Sequence, residues 1–151
     1  MLKTSDYDAR LEELKSFKVD LDPDPVSKGI FSLNEKLAQV QAFKDRVCAL
    51  LVEAHQNVSE YEIIYESVKH QYESNLERLL VSDPEVQSLK SDRLRIASAN
   101  VKLAELLIKL NNANLELLRA KNYLKCVQTI YDNLNSVNEN LTQQIYVIQI
   151  G

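Results

Sequence analysis

Breakers are scarce in this chain. Its 151 residues include two glycines and three prolines. A β-sandwich or a doubly wound α/β fold is hard to build from so few, because both need many tight turns. The glycines, Gly29 and Gly151, stand alone, so no glycine-rich loop can close backbone N–H groups on a nucleotide phosphate. No apolar run approaches the ~18 to 20 residues that cross a membrane, and no secretory signal opens the sequence. The expectation is therefore no membrane partner.

Reaction chemistry is equally thin. There are two cysteines, Cys48 and Cys126; they fit a reducing compartment, and each reads as a buried or half-buried thiol. The two histidines, His55 and His70, belong to no cluster with zinc spacing. Glu66 and His70, four apart, read as a solvated helical pair. No Glu-x-x-His pair is present, as a di-iron bundle requires, and no Ser, His and Asp spacing places a nucleophile on a turn. The chain is expected not to be an enzyme and to hold no cofactor or metal.

Positive charge is also in short supply, but unevenly. The formal net charge is −4, which counts against a non-specific nucleic-acid binder. Residues 1–83 carry 10 basic and 16 acidic side chains, whereas residues 84–151 carry 8 and 6. A positive surface can thus be concentrated in the second half.

What the chain does have is helical periodicity. Residues 1–15 fit a short helix that starts after Thr4 or Ser5, with Tyr7, Leu11 and Leu14 on one side. In residues 16–22, Phe17, Val19 and Leu21 alternate with polar residues, a strand pattern. Asp22-Pro23-Asp24-Pro25 and Gly29 read as a linker. Ser32 with Glu35 forms a capping-box pattern, and a seven-residue repeat follows. Its seam runs Leu33, Leu37, Val40, Lys44, Val47, Leu51, Ala54, Val58, Tyr61, Tyr65, Val68, Tyr72, Asn75 and Leu79. A second capping box, Ser82 with Glu85, and Pro84 open another helix. That seam runs Leu89, Asp92, Ile96, Ala99, Leu103, Leu106, Leu110, Ala113, Leu117, Ala120, Leu124, Val127, Tyr131, Leu134, Asn138, Leu141, Ile145 and Ile148. Spacings of three and four keep one stripe on one partner, the mark of a coiled coil.

Two long helices joined by a short turn predict an all-α fold, a long antiparallel helical hairpin over residues 32–151, preceded by a segment 1–31 of short helix, strand and linker. A helix from 32 to 80 would be roughly 70 Å long at ~1.5 Å per residue. The tail from Gln144 to Ile150 is rich in β-branched residues. With residues 16–22 it predicts a small terminal β element, paired within or between chains.

A two-helix rod buries one stripe per helix, which is too little to stand alone. In the second helix Leu94, Val101, Ile108 and Leu115 recur every seven residues away from the seam, and Leu107 and Leu118 widen that surface. A helix apolar on two faces must touch something besides its hairpin partner. Self-association into a homo-oligomer is the preferred explanation over a hetero-partner. Beside this row lie Arg95, Lys102 and Lys109, again every seven residues, with Lys90, Arg93, Arg119, Lys121 and Lys125 on the same helix. A solvated or salt-bridged flank is the plain reading. A row contacting phosphate, or an acidic protein partner, are the others; phosphate contact would make affinity fall steeply with salt. Tyr61, Tyr65 and Tyr72 are seam residues and read as core, whereas Tyr123, off the seam, could stack on a base of single-stranded nucleic acid.

The order of parts resembles the UvsY-type recombination mediators of tailed phages. The resemblance rests on Leu11-Glu12-Glu13-Leu14-Lys15, the Val19-Asp20 stretch, and a long helix ending in Tyr-Glu-x-x-x-x-x-Leu-Leu (Tyr72 to Leu80). It continues with Ser-Asp-x-x-Val (Ser82 to Val86) and a second helix with Lys121, Tyr123 and Lys125 before Gln128. It spans most of residues 10–135. It implies a homo-oligomer that binds single-stranded DNA and helps a RecA-like recombinase displace the single-strand-binding protein, in DNA recombination and repair. A cytoplasmic location is expected, the host cytoplasm if phage-encoded. Family members carry a basic stretch in the first long helix; here the corresponding region, Ala49 to Glu66, is acidic or neutral. DNA binding would then fall to Arg95, Lys102, Lys109, Arg119, Lys121, Tyr123 and Lys125. The rival reading is a coiled-coil structural or adaptor protein with no nucleic-acid role.

Overall fold

The computed structural model describes residues 1–21 and 25–151. Every regular element in them is helical: α1 (Thr4–Lys15), α2 (Pro25–Ser82), α3 (Pro84–Gln87), α4 (Asp92–Lys102) and α5 (Ala104–Ile150). Asp22, Pro23 and Asp24 of the expected linker lie outside the described residues. Gly29 sits inside the bounds of α2 at φ 80° and ψ 167°, a kink between two helical stretches. Nothing lies within 4 Å of where a Cβ would be, so the backbone's positive φ, not crowding, calls for glycine. Ser32 and Glu35 lie a few residues beyond the kink, inside the bounds of α2.

Contacts gather the chain into two compact units: Met1–Asn57 with Asn122–Gly151, and Val58–Lys121. In the first, the early part of α2 packs against the late part of α5. Leu33, Val40, Val47 and Ala54 on one side and Val127, Leu134 and Leu141 on the other are buried, all at expected seam positions. Leu33, Val40 and Leu141 form one cluster, with Leu37, Val137, Ile145 and Ile148 packed around it. The polar seam residue Asn138 is satisfied, because the Gln41 amide donates to its Oδ1 at 3.0 Å. A buried stripe needs such pairing wherever a polar group interrupts it.

A second face of α2 holds α1. Arg46, Leu50, Glu53 and Asn57 recur at spacings of three and four, which places them on one side of the helix. From α1, Glu13 accepts from Arg46 at 2.6 and 3.1 Å, and Arg10 donates to Glu53 at 3.2 Å. Asn57 donates to the Tyr7 hydroxyl and accepts from the Leu2 N–H at 3.0 Å. Tyr7, Leu14 and Leu50 are buried. The start of α1 is closed by Asp6, whose carboxylate accepts from the Lys3 N–H at 2.7 Å.

No strand occurs among the described residues, so the expected terminal β element is absent. In residues 16–21, Phe17 and Val19 keep the alternation read from the sequence, whereas Leu21 is exposed. Phe17 stacks on Phe43 at 4.8 Å and Val19 packs on the Leu33 cluster, while Lys18 and Asp20 face solvent. The segment is a loop strapped along the helices, its Asp20 carbonyl accepting from the Lys36 ammonium at 2.6 Å. Its supposed partner is helical: α5 runs to Ile150. Burial of Ile145 and Ile148 on the α2 seam outweighs the β preference of that tail, as tertiary packing commonly does.

In the second unit, Val58 and Tyr61 of α2 are buried, with Val86, Ala99, Ala113, Leu117 and Ala120. The Tyr72 hydroxyl donates to Asn100 at 2.7 Å. The chain turns at Asp83, and Asp83 is the cap where Ser82 was expected. Its carboxylate accepts from the N–H groups of Glu85 and Val86 at 3.0 and 3.1 Å. Ser82 instead donates back to the Arg78 carbonyl at 2.6 Å. Pro84 occupies the first turn, as its fixed φ suits. The helix expected to run unbroken from there is interrupted. Ser91 caps α4 by accepting from the Leu94 N–H at 3.2 Å. Leu103, at φ −99° and ψ 18°, separates α4 from α5. Asp92 therefore lies exposed in a first turn and Ile96 is exposed as well, so neither serves as a seam residue.

Candidate functional site

The row expected on the far face of the second helix lies in α4 and α5, within the second unit. Leu94, Val101, Ile108, Leu115 and Leu118 are 47–77% exposed, whereas the seam residues Ala99, Ala113, Leu117 and Ala120 are buried. Leu107, added for width, is half-buried. Large apolar side chains scattered singly on a surface need no explanation; Leu94, Val101, Ile108 and Leu115 instead recur every seven residues, and no described residue buries them.

The basic residues beside this row divide into two groups. Arg95 and Lys102 are tied into the turn. Arg95 donates to the Leu89 carbonyl at 2.9 Å and sits 3.4 Å from Asp92, bracing the segment that leads into α4. Lys102 reaches Asp83 at 2.9 Å and Glu85 at 2.7 Å. Asp83 thus does two jobs, capping α3 and holding Lys102. The Lys102 bond, with the backbone N–H donors, holds the Asp83 carboxyl below its ordinary value, and the two carboxylates raise the Lys102 ammonium above its own. The partners of Arg95 and Lys102 lie in the turn and in the first turn of α4, not along a facing helix.

The other cations point outward. Lys109, Lys121 and Lys125 are exposed. Arg119 is exposed and pairs with Glu116 one turn back at 2.7 Å. Lys121 lies 3.9 Å from Glu62, an exposed pair of the kind that holds little energy. Lys125 belongs to the first unit, where it lines a groove of about 560 Å³ with Leu11, Lys15, Cys126, Thr129 and Ile130.

Tyr123 is not on the surface. It is 3% exposed, and its ring stacks on Tyr7 with centroids 4.6 Å apart and planes 15° from parallel. Its hydroxyl is buried and has no hydrogen-bond partner among the described residues. Burial, with the nearby Glu53 carboxylate, pushes its pKa up to about 12. The face expected to take a base is taken by a neighbour. The α1 face of α2, with Arg46, Glu53 and Asn57, was not read from the sequence, because these residues lie off the apolar seam. The available signal was their spacing with Leu50.

The cysteines also differ from expectation: Cys48 and Cys126 are exposed. Each is a chain neighbour of a buried seam valine, Val47 or Val127, and one step along a helix turns a side chain by about 100°. Among the described residues, no group of three or more His, Cys, Asp and Glu is placed to hold a metal, and no helix is long and apolar enough to cross a membrane. Comparison with protein-family models, with curated proteins and with solved structures gives no match to this chain.

Proposed function

We propose that this chain is a non-catalytic recombination mediator. It assembles with copies of itself through the outer face of α4 and α5, holds single-stranded DNA on the assembled surface, and helps load a RecA-like recombinase in place of the single-strand-binding protein. The observation that carries this reading is the row Leu94, Val101, Ile108, Leu115 and Leu118, left 47–77% exposed on a helix whose opposite face is already buried. A second copy would remove that area from water, at roughly 25 cal/mol per Å² of apolar surface. In the proposed subunit α2 and α5 run as the arms of an antiparallel hairpin. The resemblance to UvsY-type mediators and the positive balance of residues 84–151 supply the DNA part. Lys109, Arg119, Lys121 and Lys125 are exposed and would meet phosphate, Arg119 and Lys121 by leaving their partners Glu116 and Glu62. Repetition of a weak site around an assembly raises its effective concentration, so an overall acidic chain can still hold a strand.

A second reading, a coiled-coil structural or adaptor protein with no nucleic-acid role, is favoured by one observation: Arg95 and Lys102 are engaged within the chain. Fluorescence anisotropy with a labelled single-stranded oligonucleotide separates the two. The mediator binds at low salt and releases as salt rises, and Lys109→Glu with Lys121→Glu weakens binding without unfolding the protein. No binding at low salt selects the adaptor. Arg95 and Lys102 are poor choices for this experiment, because their replacement disturbs the turn. Ile108→Glu lowers the mass seen by sedimentation; an unchanged mass rejects the outer face as the interface.

A further inference from the structure

We infer that α1 occupies a second nucleotide site, formed by Arg46 of α2 and Tyr123 of α5, and that a nucleotide of single-stranded nucleic acid takes the place of α1 there. This inference rests on the DNA-binding reading above and adds a site and a gate to it.

The contacts made by α1 are those a nucleotide would make. Tyr7 lies flat on Tyr123 at 4.6 Å and 15°, the offset-parallel geometry in which a base stacks on an aromatic side chain. Glu13 offers two oxygens to the Arg46 guanidinium at 2.6 and 3.1 Å, as a phosphate does. The Asn57 amide donates to the Tyr7 hydroxyl and would be free to donate to a base carbonyl instead. These groups are brought together by α1, which meets Tyr123 through Tyr7 and Arg46 through Glu13, and all of them belong to the first unit.

Two further features suit a contact that opens. The Tyr123 hydroxyl is buried without a hydrogen-bond partner among the described residues, so the closed state leaves a polar group that an arriving ligand or water would satisfy. The two ion pairs that fasten α1, Glu13 with Arg46 and Arg10 with Glu53, are partly exposed and weaken as salt competes for them. Opposing release, Tyr7 and Leu14 of α1 are buried. The gate therefore stays closed in the free protein, and the strand must be held elsewhere on the assembly before it competes.

The test uses the full chain and fluorescein-labelled oligo(dT), by anisotropy at low salt. Glu13→Gln, which loosens α1 from Arg46, is expected to tighten binding at least fivefold. Glu12→Gln removes the same charge from α1 but touches Lys15 and not Arg46; it is expected to tighten binding by less than twofold. Adding Tyr123→Leu to Glu13→Gln should cancel the gain, with circular dichroism confirming the fold. In the wild-type protein, oligo(dT) should speed amide exchange in residues 7–15. Equal effects of Glu12→Gln and Glu13→Gln, or α1 amides that stay protected in the DNA complex, overturn the inference while leaving the mediator reading in place. No binding by any variant overturns both.

Discussion

Replacing Tyr123 by phenylalanine should stabilise the protein, and the gain should grow in alkali. The substitution removes one oxygen and keeps the ring that stacks on Tyr7. That oxygen is buried and makes no hydrogen bond among the described residues. In the unfolded chain it is hydrated, so folding costs about 1–3 kcal/mol for its desolvation with no bond formed in return. Taking the low end, because phenylalanine leaves a small void, Tyr123→Phe should raise stability by about 1 kcal/mol at pH 7. The pH dependence follows from the Tyr123 pKa, pushed to about 12 by burial and by the nearby Glu53 carboxylate against the opposing pull of Arg10 and Arg46. In the unfolded chain a tyrosine titrates near pH ~10.

Between those two values the unfolded state sheds the proton while the folded state keeps it, so wild-type stability falls as pH rises through this window. At pH 11 the loss from this one group is about 1.4 kcal/mol. The phenylalanine variant lacks it, and the other six tyrosines are common to both proteins and cancel. The difference between variant and wild type should therefore widen from about 1 kcal/mol at pH 7 to about 2.4 kcal/mol at pH 11. Urea unfolding followed by circular dichroism at the two pH values measures it. A variant less stable than wild type at pH 7, with a gap that does not change in alkali, would show that the hydroxyl is satisfied and the reasoning wrong.

Two other substitutions probe the framework. Leu141→Ala, at a position fully buried against Leu33 and Val40, should cost about 2–5 kcal/mol in the same unfolding assay, the range for a leucine cavity that the surroundings fill only in part; a cost below about 1 kcal/mol would mean that the end of α5 is frayed in solution. Asp83→Ala removes the cap of α3 and the main partner of Lys102. It should cost about 1 kcal/mol and speed amide exchange at Glu85 and Val86, and unchanged exchange there would assign the cap to another group.

The parts of this fold that could be read from the sequence are those governed by one repeating rule. Seam spacing located the buried stripe of α2 and most of that of α5, because a stripe at 3.5 residues per turn stays buried wherever one long partner runs beside it. The same logic marked Leu94, Val101, Ile108 and Leu115 as a second, uncovered row. The rule failed where a local hydrogen bond decided the outcome. Between Ser88 and Ser91 no proline or glycine announces a break, yet the helix stops and restarts on the Ser91 hydroxyl. At the end of α5, a seven-residue segment rich in β-branched residues (Gln144 to Ile150) stays helical because Ile145 and Ile148 reach the Leu33 cluster. Periodicity with a period of two was real at Phe17 and Val19, but alternation shows only which side chains turn inward. It does not supply the neighbouring strand that would make a sheet.

The face that carries α1 escaped notice for a different reason. A seam is apolar and repeats, whereas this face holds one leucine, one arginine, one glutamate and one asparagine, and reads as ordinary solvated surface until its partner is known. Polar contacts between elements far apart in sequence are specified pair by pair, and nothing periodic betrays them. Tyr123 belongs to that class. Its position off the seam suggested exposure, but a helix packed on two sides has two buried faces, and Tyr7 lies on the second. Under the proposed reading, the aromatic and basic groups that would take a nucleotide are those covered by α1, while the exposed Lys109, Lys121 and Lys125 are the ones a strand would reach first. An oligo(dT) titration of Glu13→Gln against wild type ranks these two sets directly: an affinity that depends on α1 places the tighter site beneath it, and an affinity that depends only on the outward lysines leaves α1 as a structural strap.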